Sequence, residues 1–211
     1  MKVLNVSIYE HNQTKPVRLA SVMDDREIAG NLISRLYSTN IKETIDFSTR
    51  LIVSRTALGT AQTVAIDGID FVSHVRVAKR GAHVFGAVIV TSDDYSKSIA
   101  YTTLTKIIDA YTMNTNVGII ASEDVKGSQL TPPWLVAILN SSKNPEDKIA
   151  QVLNQVDDVK DIMTKNIEDI LGRGEKLDDL LARTNELSEK SKGLARDAHK
   201  MARRCPMCTL L

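Results

Sequence analysis

Ile170-Leu171-Gly172-Arg173-Gly174-Glu175-Lys176-Leu177-Asp178-Asp179-Leu180 lies at the middle of a seven-residue apolar repeat in a chain of 211 residues. Read at alternating steps of three and four, the seam is Ile149, Val152, Val156, Val159, Met163, Asn166, Ile170, Arg173, Leu177, Leu180, Thr184, Leu187, Ser191, Leu194, Ala198 and Met201. Twelve of these sixteen positions are apolar, which indicates a narrow coiled-coil seam and not the wider stripe of a helix on a globular core. As one helix the repeat would be about 80 Å long, too long to lie on a domain of this size, so the seam calls for partner helices. Gly172, Gly174 and Gly193 fall inside it, and each costs about 1 kcal/mol against alanine in a helix interior. An isolated helix gains little from its own hydrogen bonds, so the segment is expected to order as that helix only when partners bury its seam.

Arg173 occupies a seam position with layers on both sides. A buried guanidinium is unfavourable unless its donors are satisfied. One reading is a polar core residue that fixes register and partner choice; the other is a snorkelling side chain or a register break. Asn166, Thr184 and Ser191 are weaker polar interruptions.

The chain ends in Cys208-Thr209-Leu210-Leu211, which has the form of a prenylation box, with the final leucine favouring geranylgeranyl over farnesyl. Lys190, Lys192, Arg196, Lys200, Arg203 and Arg204 precede it, opposed among them only by Asp197. Such a run strengthens attachment to anionic leaflets, and it also suits the C-terminal end of a helix. One lipid chain anchors weakly and reversibly, so Cys205 is a candidate second site, palmitoyl or prenyl. The competing reading of Cys205-Pro206-Met207-Cys208 is a redox or metal pair. Zinc needs about four ligands, and His11, His74, His83 and His199 are scattered.

Composition limits the remaining function classes. A net charge of +1 gives no electrostatic footprint for nucleic acid. No apolar run approaches the roughly 18 to 20 residues that cross a bilayer, and Met1 to Glu10 reads as an alternating strand and not a signal peptide. A cytosolic protein is expected. No phosphate loop, serine elbow or histidine pair at ligand spacing occurs, so no catalytic residue, cofactor or metal site is expected. Asp24-Asp25 and Asp93-Asp94 read as turns or caps.

Residues 1–140 read as a separate α+β unit. Lys2 to Tyr9 and Val17 to Met23 alternate as an antiparallel hairpin. Asn40 and Glu43 form a capping pair for a helix through Arg55, with Ile41, Ile45, Ser48 and Ile52 on one face. Thr63 to Ile66, an Asp67-Gly68 turn and Phe71 to Val77 form a hairpin, and Gly81 turns the chain into Val84 to Val90. A helix over 96–113 follows, and Pro132-Pro133 opens another through Leu139. His74 and His83, on neighbouring strands, are expected near one another in structural roles. The order gives a five-stranded antiparallel sheet covered by helices.

Two resemblances join these parts. Ile170 to Leu180, with its Arg-Gly-Glu-Lys-Leu core, resembles the central segment of an R-SNARE, the arginine-bearing class that includes the synaptobrevins. In that family four parallel helices pack as a coiled coil, with one arginine set against glutamines from three other helices. The resemblance implies that Arg173 is the central-layer arginine and that the twelve apolar seam residues are packing layers. Gly172 departs from the longer side chain expected before the arginine. The order of the N-terminal elements, with Leu51-Ile52-Val53-Ser54-Arg55 and Phe85 to Val90, is similar to the profilin-like longin domain found ahead of some R-SNARE motifs.

Together with the tail these parts resemble the SNARE class that exchanges a transmembrane anchor for prenylation, usually on adjacent cysteines; here Pro206 and Met207 separate them. The implied organisation is a longin domain over 1–140, a linker over 141–148, the motif over 149–201 and a lipidated tail over 202–211. The implied partners are three Q-SNARE helices, a prenyltransferase and the cytoplasmic face of Golgi, ER-derived or endosomal and vacuolar membranes. A longin domain folded back on its own motif, sheltering the lipid in a groove, is expected as a closed cytosolic form. The rivals are a prenylated coiled-coil tether, a longin-type trafficking adaptor and a thiol enzyme using Cys205 and Cys208.

Overall fold

A computed structural model describes residues 2–11, 15–24, 32–65, 71–114, 131–143, 162, 164–185 and 187–204, without the side chains of 32–40, 194 and 198–204. The architecture is α+β. Its strands are β1 (Val3–Glu10), β2 (Val17–Met23), β3 (Ala61–Ala65), β4 (Phe71–Arg80), β5 (His83–Ser92) and β6 (Thr164–Asn166). The helices are α1 (Leu32–Ser54), α2 (Lys97–Asn114), α3 (Pro133–Ser142), α4 (Leu177–Arg183) and α5 (Glu189–Arg204). The sheet order is β2-β1-β5-β4-β3-β6. The first five strands pair antiparallel as expected, and β6 adds to the β3 edge in parallel.

Strand alternation sorts the side chains into two cores. Central β5 is covered on both faces: Phe85, Ala87 and Ile89 join the core under α2 and α3, while Val88 and Val90 join the core under α1. On the α2 side Leu104, Ile107 and Ile108 are buried with Tyr101 and Leu135. On the α1 side Ile45, Ile52 and Val53 meet Leu4, Tyr9, Val75 and Val77. The second approach is close, because a Cβ on Gly86 would stand 2.6 Å from Val53 Cγ1. Gly81 turns β4 into β5 with φ of +60°, a conformation open to glycine.

Several expectations shift. Asn40 and Glu43 do not open the first helix, since α1 starts at Leu32 and both lie inside it. His74 and His83 are apart: His74 pairs with Ile89 in the body of the β4–β5 ladder, and His83 opposes Arg80 at its turn. Among the described residues the repeat is not one long helix. Thr164–Asn166 is extended, Ile167–Ile170 is a 3-10 turn, and helix resumes only at Leu177. The chain instead packs these residues on its own sheet and α1, with β6 paired to β3 and Ile167, Leu177, Leu181 and Leu187 in the α1-side core. Asp67 and Gly68 lie outside the described residues.

Candidate functional site

Residues 162–204 wrap the β3 edge of the sheet. Ile162 packs on the α2-side core, and Lys97 Nζ donates to its carbonyl at 3.1 Å. The chain then rounds the edge as β6, with Thr164, Lys165 and Asn166 opposite Thr63, Val64 and Ala65. All three β6 side chains are exposed, so backbone pairing alone recommends this register. Asn166 N donates to Asp169 Oδ2 at 2.9 Å, closing the start of the 3-10 turn and turning Ile167 into the α1-side core.

Beyond it the chain makes a tight turn. Glu175 N donates to Gly172 O at 2.9 Å, and Gly174 has φ of +85°. With Arg173 at negative φ, this is the geometry of a type II turn, whose third residue must be left-handed. Gly172 N donates back to Glu175 Oε2 at 2.8 Å. Arg55 Nη2, just past α1, donates to both oxygens of the same carboxylate at 2.8 and 2.7 Å. The Gly172 amide first, and then the Arg55 guanidinium, hold Glu175 below the usual carboxylate range. Arg173 itself is exposed.

Then α4 places Leu177 and Leu181, four residues apart and so on one face, into the α1-side core, and Leu187 follows. Asp178 and Asp179 in its first turn and Arg183 in its last match the helix dipole. At the start of α5, Glu43 Oε2 accepts from Ser188 N (2.9 Å), Ser188 Oγ (2.8 Å) and Ser191 Oγ (2.6 Å). The Ser191 hydroxyl first, then the Ser188 groups, lower its pKa. A carboxylate from α1 therefore sits at the positive end of α5. A small recess lined by Thr44, Phe47, Ser48, Ile167, Leu177, Leu181 and Ala195 holds about 20 Å³, room for about one water.

The structure thus gathers part of the predicted set. Leu177 and Leu187 are buried, Ile170 and Leu180 are half-buried, and Arg173 faces solvent. Leu194, Ala198 and Met201 lie on α5, with their side chains outside the described residues. Ile149, Val152, Val156, Val159, Met163, Cys205 and Cys208 also lie outside the described residues. Sequence reasoning missed Ile167, Leu181, Glu43 and Arg55. Leu177 and Leu181 share an i, i+4 spacing that could have been found; Glu43 and Arg55 carry no local signal for contacts more than a hundred residues away.

On the opposite face, His74 is buried and saturated. Thr63 Oγ1 bonds His74 Nδ1 (2.9 Å) and Tyr101 OH (2.7 Å), and His74 Nε2 bonds Thr91 Oγ1 (3.1 Å). Burial, with Lys97 nearby, lowers its pKa to about 4, so it is neutral at physiological pH and spans three elements as a structural link.

The synaptobrevin family profile matches residues 148–209, the stretch that contains this segment. The chain is 32% identical over 208 residues to the Synaptobrevin homolog ykt6 of Schizosaccharomyces pombe, covering 97% of this chain and 98% of that protein. It is 28% identical to the Synaptobrevin homolog YKT6 of Yarrowia lipolytica and 26% to that of Saccharomyces cerevisiae, each over 95% of this chain and 96% of the relative. Near-complete coverage of both sequences, with the arginine-centred repeat under the family match, makes this chain a member of the synaptobrevin family, an R-SNARE of vesicle-membrane fusion.

Proposed function

We propose that the docked arrangement is the autoinhibited form of this R-SNARE. The observation that carries the reading is the burial of Leu177 and Leu187, two seam residues, in the same core as Ile45, Ile52 and Val64. A side chain held in that core cannot at the same time line a four-helix seam, so docking and bundle formation compete for the same residues. In this reading 1–140 is the longin domain, 141–148 the linker, 149–201 the assembly motif and 202–211 the lipidated tail. The family is one of fusion proteins that act with other SNAREs and membranes, and not a family of enzymes.

When the segment leaves the sheet, Ile149 through Met201 form one helix of a parallel bundle with three glutamine-bearing helices, and Arg173 supplies the central layer. Burial of the apolar layers drives assembly. A prenyltransferase modifies Cys208, and a second lipid at Cys205 secures a membrane address on the Golgi, ER-derived or endosomal surfaces. The recess beside Leu177 and Leu181 is far too small for an isoprenoid chain, so sheltering a lipid there requires its walls to part.

The test mixes the full chain with three glutamine-bearing helices and follows helix gain by circular dichroism, beside a chain cleaved to remove 1–140. Slower assembly of the full chain, with the same final bundle, supports the reading. Equal rates would remove autoinhibition, and helix gain by the chain alone as a homo-oligomer would favour the tether.

A further inference from the structure

We propose that the Gly172–Glu175 turn is the latch that decides between the docked and the helical form of the assembly segment, and that Gly174 sets its balance through its left-handed backbone. The proposal rests on the autoinhibited reading above and deepens it. Three contacts meet at this turn: the Gly172–Glu175 backbone bond, the bond from Gly172 N to the Glu175 carboxylate, and the Arg55 pair. All three need the turn. In a helix through 173–175, φ at Gly174 moves from +85° to about −60°, and the Gly172 amide turns to the carbonyl four residues earlier. The contacts therefore fall together, and no helix can propagate from α4 towards β6 until they do.

Only glycine serves both conformations at small cost. An alanine at position 174 would disfavour the left-handed turn by about tenfold and, once partners hold the segment helical, favour the helix by roughly fivefold, so it shifts opening by about tenfold and the docked-to-bundled balance by about fiftyfold. Space is not the obstacle, since a Cβ at Gly174 meets nothing within 4 Å; the backbone handedness is. Gly193 supplies an internal control. It lies in α5, helical in the docked form, and its Cβ position is also open. Helix propensity gained there stabilises docked and bundled forms alike.

The experiment is hydrogen exchange of the full chain, read by mass spectrometry on peptides covering 164–183, with β4 and β5 as an internal reference for global stability. Gly174→Ala is expected to raise exchange in 164–183 by about tenfold, the share that disfavours the docked turn, since without partners the opened segment is not helical, while the reference strands hold their protection. Gly193→Ala should leave that segment within about threefold of the parent. Gly174→Asn should stay within about threefold, because asparagine enters the left-handed region more readily than alanine. Protection in 164–183 that Gly174→Ala does not change would overturn the latch while leaving docking intact. Gly174→Asn opening as far as Gly174→Ala would overturn the role of handedness. A parent chain with no protection in 164–183 would instead sink the docked state, and the latch with it.

Discussion

On one face of the sheet α2 and α3 bury Leu104, Ile107, Ile108 and Leu135 as a continuous core, while on the other the docked segment touches through Ile167, Leu177, Leu181 and Leu187, separated by turns and charged contacts. Both faces use the same strands. What differs is how the covering is built: the first is helix upon sheet with apolar side chains at every turn, and the second, beyond α1, is completed by a three-residue strand, a 3-10 turn, a type II turn and a two-turn helix. Each docked piece is too short to be stable alone, so each depends on the others and on the sheet beneath. On the proposed reading, in which the segment leaves the sheet, this inequality lets one covering open while the fold is retained.

The largest test pairs Ile107→Ala with Leu181→Ala. Both delete buried aliphatic atoms, a change that costs about 2 to 5 kcal/mol in cores. At Ile107 the loss should appear in global unfolding, as a lower denaturation midpoint. At Leu181 it should appear as opening of 164–183, with β4 and β5 still protected from exchange. An equal fall in the global midpoint for both variants would make the two faces a single cooperative unit and end the comparison.

Acid separates the faces next. His74, on the α2 side, has its pKa lowered to about 4 by burial and by Lys97, against an ordinary value of 6.5. Between those values the unfolded chain binds a proton that the folded chain does not, so stability is lost as pH falls through that window. The loss amounts to roughly 3 kcal/mol at 1.36 kcal/mol per unit. The measurement is the denaturation midpoint from pH 7 to pH 4 for the parent and for His74→Gln, whose midpoint should change less with pH. Parallel curves would remove His74 as the cause.

A third variant strikes the packing of α1 itself, on which the docked segment rests. Gly86→Ala sets a methyl 2.6 Å from Val53 Cγ1, a stiff and fully buried neighbour, and overpacking of this kind costs about 1 to 3 kcal/mol. Global stability should fall and docking weaken with it. Unchanged thermal melting would mean that α1 moves aside at little cost.

The same inequality governs what can be read without coordinates. The β1–β2 hairpin, the β3–β5 meander and the helices over 97–114 and 133–142 are legible because period, turn glycine and Pro-Pro agree locally. The first helix is misread at its start because Asn40 and Glu43 imitate a capping pair inside a longer α1. The heptads fall within the stretch that matches the synaptobrevin family, yet they describe a continuous helix that the described residues do not form. The docked form follows another logic: Ile167 and Leu181, outside the seam, are buried, while Arg173 at its centre is exposed. Thr164-Lys165-Asn166 pairs with β3 through backbone alone, with every side chain exposed, so no residue pattern announces it. Glycines at 172 and 174 are legible as helix weakness; that they build a type II turn against Arg55 is not, because Arg55 and Glu175 are 120 residues apart.

The smallest effect concerns the charged contacts that complete the weaker covering. Arg55 and Glu175 retain 31% and 35% of their side-chain exposure, and an ion pair so placed contributes about 0.2 to 1 kcal/mol and weakens with salt. A double-mutant cycle of Arg55→Gln and Glu175→Gln, read as exchange in 164–183, should give a coupling within that range. The coupling should be smaller in high salt. Protonation gives an independent sign. Glu43 and Glu175 both have pKa values below the ordinary 4.5 in the docked form, so their contribution is present above that value and is lost as pH falls through the lowered ones. Opening of 164–204 on acidification should therefore set in only at the acid end of the window in which His74 acts, and Glu43→Gln should blunt it. If the segment opens instead in step with His74 protonation, it is held by the sheet's overall stability and not by contacts of its own.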